Sequence, residues 1–235
     1  MKKLPLFLLI IYIFIPISVF AYSDYLLASG QNIGIELKSD HPIIVGSYNI
    51  GSYNALTNSD LTVGDKILKV NDISVISSQD VYDLISKQNN SLATITYSRD
   101  NQEYKTNIKL YKEDNIYKTG LYIKDTIRGV ATLTYIDPEN NYFGALGHEI
   151  IEKSTKSKFN MTSGSIYQST VTGITKSTDG HPGEKNARSN SNDVYGNVKE
   201  NTTSGIFGTY TSTLPNTKKY KVATVHLKEA MDTST

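Results

Sequence analysis

Helical periodicity of an amphipathic kind occurs at one place in this chain of 235 residues. Ser77 stands three residues before Asp80, a capping-box pair, and Val81, Leu84 and Ile85 then share one face at i, i+3 and i+4. Most other patterned stretches alternate apolar and polar residues with a period of two, as half-buried strands do. Residues 32–37, 43–48, 66–70 and 73–75 read as strands, with a tight turn at Asn71-Asp72. Residues 92–99 and 102–111 read as a hairpin closing around Asp100-Asn101. One helix among many short strands places the chain in the mainly β class.

The amino terminus is patterned differently. Lys2 and Lys3 precede an unbroken apolar run over 4–15, Pro16 interrupts it, and Val19-Phe20-Ala21 offers a small-residue cleavage site. Residues 1–21 therefore read as a secretory signal or an amino-terminal membrane anchor, since 18 residues are just enough to span a bilayer. Either way the rest of the chain is expected outside the cytoplasm. The chain has no cysteine, which excludes disulfides, thiolate metal sites and a cysteine nucleophile. A net charge of +1 gives no global field to attract nucleic acid. No histidine pair has metal-ligand spacing and no carboxylate cluster forms a calcium loop, so no metal or other cofactor is expected.

Two domains follow. Residues 29–111 form a small β-rich unit with the one helix, and the polar, charged stretch 112–118 reads as a linker. Ile33-Gly34-Ile35-Glu36-Leu37 and the stretch Leu61-Thr62-Val63-Gly64-Asp65-Lys66-Ile67-Leu68-Lys69-Val70-Asn71, followed by the capped helix, resemble the PDZ modules of bacterial proteases. In such modules a glycine-containing loop offers backbone N–H groups to a peptide's terminal carboxylate, and the peptide adds as a strand beside the helix. The resemblance puts Ile33, Gly34 and Ile35 at the carboxylate and Val81 and Leu84 on the pocket wall, with a C-terminal peptide or protein as ligand.

From 119 to 235 the pattern is again strand-like, with candidates at 129–136, 142–146, 165–176, 205–210 and 220–226, and a loop over 178–192. The stretch Tyr142-Phe143-Gly144-Ala145-Leu146-Gly147-His148 carries the candidate chemistry, because a histidine after an apolar strand can act as a general base at neutral pH. Gly120-Leu121-Tyr122-Ile123-Lys124-Asp125, the 129–135 run, the His148 motif, Ser169-Thr170-Val171-Thr172, Gly180-His181-Pro182-Gly183 and Gly205-Ile206-Phe207-Gly208 follow in order. Together with the PDZ-like unit and export segment they resemble the SpoIVB family of sporulation serine peptidases. The resemblance implies part of a chymotrypsin-like double β-barrel and makes His148 the catalytic histidine. It implies cleavage of a membrane-bound regulator of sigma-factor processing in the space between the forespore membranes, and PDZ-mediated self-recognition.

The family's nucleophilic serine and its acidic partner lie in a downstream motif that nothing after Phe207 matches, so the second domain is expected to be incomplete at its carboxyl end, with unpaired strand edges. Neither the nucleophile nor the acid is assigned. Thr162-Ser163-Gly164-Ser165 and Ser204 are serine-glycine decoys, His181 lies in a Pro-Gly loop, and His41 and His226 have no nearby sequence partners. The sequence thus expects a serine endopeptidase built around His148, or alternatively an exported, catalytically inactive PDZ peptide-binding protein.

Overall fold

A computed structural model describes residues 23–180 and 183–222. The predicted export segment, His181, His226 and the residues after 222 lie outside this range.

The first strands are β1 (Tyr25–Ala28), β2 (Asn32–Ser47), β3 (Lys66–Val70) and β4 (Ile73–Ser74). Helix α1 (Ser78–Ser86) follows, then β5 (Leu92–Arg99) and β6 (Gln102–Lys109). β7 (Tyr111–Glu113) and β8 (Ile116–Lys118) form a small hairpin where the sequence pattern predicts a linker. The remainder is β9 (Leu121–Asp137), β10 (Tyr142–Ala145), β11 (Ile151–Glu152), β12 (Ser157–Lys158), β13 (Ser163–Thr175), β14 (Glu184–Thr202), β15 (Gly205–Tyr210) and β16 (Lys219–Lys221). The molecule is mainly β, as its alternation predicts. Of the 178–192 stretch, expected as a loop, residues 184–192 belong to β14, and residues 185–192 are largely exposed.

The local signals work as their chemistry requires. Ser77 caps α1, accepting from the Asp80 N–H while the Asp80 carboxylate accepts from the Ser77 N–H. The β3–β4 and β5–β6 turns hold both central residues at positive φ, Asn71 (50°) and Asp72 (64°), and Asp100 (51°) and Asn101 (61°), matching the twist of paired strands.

Six antiparallel strands close on themselves. β2 pairs with β9, β9 with β10, β10 with β15, β15 with β14, β14 with β13, and β13 returns to β2. The described residues thus contain one complete ring, consistent with a β-barrel-like peptidase domain. Its interior holds Ile33, Leu37, Leu133, Ile136, Phe143, Phe159, Ile166 and Ile206, all essentially inaccessible.

The same sheet also builds the PDZ-like unit. Beyond its barrel half, β2 continues through Ile43 and Ile44 to pair with β3 on one edge and with residues 121–124 of β9 on the other. β3, β5 and β6 extend the sheet, and α1 covers it over a second core of Ile44, Leu61, Ile67, Val70, Val81, Ile85, Ile95 and Leu121. The two predicted strands 32–37 and 43–48 are thus one strand. A register shift between Lys38 and Ile43, at Pro42, marks the passage from barrel to PDZ-like unit. Asp125 on β9 holds the start of α1, accepting from the Ser78 N–H at 2.6 Å and its hydroxyl at 2.9 Å.

Candidate functional site

β10 delivers the His148 motif to one end of the barrel. Phe143 and Ala145 turn inward, and between them Gly144 leaves room for the Tyr135 ring, which a Cβ would meet at 2.5 Å. The strand then ends abruptly. Leu146 adopts φ of 77° and the Gly147 N–H donates back to the Ala145 carbonyl at 3.1 Å, a γ-turn of the rare positive-φ kind. A bulky residue in this conformation is strained, at a cost of about 1–3 kcal/mol. Neighbouring structure enforces it: the Leu146 N–H is held by the Thr132 carbonyl, and Gly205 (φ 134°) packs where a Cβ would lie 2.6 Å from the Ala145 carbonyl.

His148 emerges from this turn exposed to solvent. Its Nδ1 lies 2.8 Å from the Glu149 carbonyl, which can only accept, so in the neutral ring the proton sits on Nδ1 and Nε2 is the lone-pair nitrogen a general base needs. The following loop is clamped by Asn201 at the end of β14, 8% exposed. Its Oδ1 accepts from the Ile150 N–H at 2.8 Å, and its Nδ2 donates to the carbonyls of Ile150 at 3.0 Å and Phe159 at 3.1 Å. Further along, burial tends to raise the Glu152 carboxyl, but the N–H groups of Thr155 and Ser154 and the Lys124 ammonium outweigh it and hold it below its ordinary value. Lys124 belongs to the PDZ half of β9, so this ion pair ties the histidine loop to the PDZ-like unit.

A groove of about 390 Å³ opens beside His148, floored and walled by Ile35, Ile127, Gly129, Val130, Leu146 and Ile150. Among the described residues no serine hydroxyl or carboxylate bonds to His148, and no group of three or more His, Cys, Asp or Glu could hold a metal. Ser163 and Ser165 lie on β13, across the barrel wall in a separate polar cleft with Glu36 and Lys38.

The peptide-binding residues expected from the PDZ-like pattern are not brought together. Ile33, Gly34 and Ile35 form no loop; they sit inside β2, flanked by β9 and β13, with Ile33 and Ile35 in the barrel core. Gly34 serves another purpose, since a Cβ there would lie 1.9 Å from the Ser189 hydroxyl oxygen. Val81 is buried in the other core and Leu84 packs on it. Helix α1 packs against β8, β3 and β9 rather than against residues 33–35. Sequence patterning missed this because the 33–37 and 43–48 runs look alike whether they form a hairpin or one bent strand. It also missed Asn201 and Gly205, whose roles depend on contacts about 50 residues away in sequence.

Comparison with known proteins agrees with both units. Residues 31–110 match the PDZ domain family model and residues 115–235 match the model for the SpoIVB peptidase S55 family. Among solved structures, the PDZ domain of an SdrC-like protein from Listeria monocytogenes is similar at 19% identity and a TM-score of 0.31, covering 37% of this chain and 90% of that one. No curated protein matches. With more than half its length matched and a histidine presented on a strained turn at the mouth of a closed β-barrel, the chain belongs to the SpoIVB peptidase S55 family, serine peptidases, and carries a PDZ domain, a module that binds peptides.

Proposed function

We propose that this protein acts outside the cytoplasm as a PDZ-coupled serine endopeptidase that cleaves a membrane-bound regulator during sporulation, in the space between the two spore membranes, and that the PDZ unit recruits that regulator or a second copy of the chain. The observation that carries this reading is His148, exposed beside an apolar groove with Nδ1 engaged and Nε2 free. In the reaction Nε2 takes the proton from a serine hydroxyl as the hydroxyl attacks the scissile carbonyl, then returns it to the leaving amine. Neither the serine nor its acidic partner is assigned among the described residues.

Labelling of the protein with a fluorophosphonate probe tests this. A serine that labels when His148 is intact, and at least about a thousandfold more slowly in His148→Ala, is expected. Absence of labelling, or labelling indifferent to His148→Ala, overturns it. The lack of any serine or carboxylate against His148 among the described residues favours one competing reading, an inactive exported PDZ protein. That reading predicts no label together with retained peptide binding.

A further inference from the structure

Part of β9 is paired on one side only. Residues 126–131 pair with β2 along one edge, whereas β10 takes the other edge only from Leu133 onward. The Leu133 N–H donates to the Gln31 carbonyl on the β2 side, and the Thr132 carbonyl receives the Leu146 N–H on the opposite side. Strand alternation then aims the N–H and C=O of Arg128 and Val130 away from β2, into the groove. No backbone group among the described residues bonds them there.

Gly129 lies between these two residues. Ile127 and Ala131 turn toward the barrel core, so alternation aims position 129 the same way. Other barrel glycines are forced by close packing: a Cβ at Gly208 or Gly196 would meet backbone at 2.0 or 2.4 Å. At Gly129 a Cβ would meet nothing within 4 Å, and the residue has no positive φ to require glycine. Its missing side chain serves neither packing nor conformation. It leaves a void in the floor of the groove, ringed by Ile35, Ile127, Leu146 and Ile150, with His148 on the rim.

We propose that Gly129 makes a specificity pocket: an extended peptide adds to the free edge of β9 at Arg128 and Val130 and lowers one large aliphatic side chain, of leucine size, into the space above Gly129. The unpaired backbone groups recognise the peptide chain, and the apolar walls recognise the side chain. This rests on the peptidase reading only for what happens after binding, since the docking itself needs no nucleophile.

The test uses the full chain and two hexapeptides blocked at both ends, Ac-Lys-Ala-Leu-Ala-Ala-Lys-NH2 and its counterpart with alanine for leucine. Blocking removes the terminal carboxylate through which a PDZ domain binds. Titration should show the leucine peptide binding about tenfold to a hundredfold more tightly, the range expected for filling an apolar pocket. Amide shifts at Arg128 and Val130 should report it. Gly129→Leu should abolish the preference by filling the void, while Gly129→Ala should retain most of it. No binding, no preference in the wild type, or an undiminished preference in Gly129→Leu overturns the proposal, and the wild-type shifts decide independently of how any variant folds. A leucine preference without fluorophosphonate labelling leaves the pocket standing and removes the catalytic reading; labelling without the preference does the reverse.

Discussion

Single residues carry much of the geometry around His148. Asn201 satisfies three backbone groups at once, so Asn201→Ala leaves the Ile150 N–H and the Phe159 carbonyl without partners, while the Ile150 carbonyl keeps the Phe159 N–H. A loss of about 2–3 kcal/mol in urea denaturation is expected, with faster hydrogen exchange at Ile150. Asp137 is a second such anchor, 2% exposed at the β9–β10 turn. Burial tends to raise its carboxyl, but donation from the Ser23 hydroxyl, the Asn140 side chain, and the N–H groups of Asn140 and Glu139 outweighs this and lowers it to about 2. A carboxyl depressed in the folded state stabilises above its unfolded value near 4, and that stability disappears as pH falls toward about 2. Asp137→Asn should therefore cost about 2 kcal/mol at neutral pH and flatten the stability profile between about pH 4 and 2, measured by denaturation across pH. The His148 motif was legible in the sequence because its residues are contiguous. The Asn201 clamp was not, because an asparagine in a polar strand gives no sign of the backbone it will meet.

At the level of elements, α1 and the hairpin turns were readable because capping and positive-φ turns are local chemistry. Ser77→Ala should cost about 1 kcal/mol by thermal or urea melting, since it removes one side of the capping box. The PDZ-like peptide site was misplaced because Gly34 looks like a loop glycine. In the fold its lack of a side chain admits Ser189 on the β13–β14 ribbon. Gly34→Val is expected to force the two elements apart at a cost of about 1–3 kcal/mol, and Ser189→Gly should recover part of that loss in a double-mutant cycle. A substitution at Gly34 thus disturbs the barrel wall directly, whatever it does to peptide binding.

Across the whole molecule, the two family matches divide the chain near residues 110–115, while the structure runs β2 and β9 unbroken through both units. Sequence patterning found both units and the β class of each, but it could not show that they share strands, because alternation does not name a strand's partner. Residues 29–111 expressed alone lack the segment 121–124 that covers the β2 edge, and they lack Leu121 from the core. That fragment should melt at a lower temperature than the unit does within the full chain, and it should aggregate through the exposed edge.

The ring closes through β2 and β13, whose partners Ile35 and Ile166 are 131 residues apart in sequence, whereas β3, β5 and β6 meet within one short stretch of chain. Contacts this distant form late, because the loop between them must be ordered first. The PDZ unit pairs 43–47 with 121–124, and this pairing is expected to align the two long strands before the barrel closes. On this expectation the PDZ unit serves as a folding jig for the enzyme-like half. In pulse-labelled hydrogen exchange, the amides of Ile67 and Ile95 should gain protection ahead of those of Ile166 and Ile206.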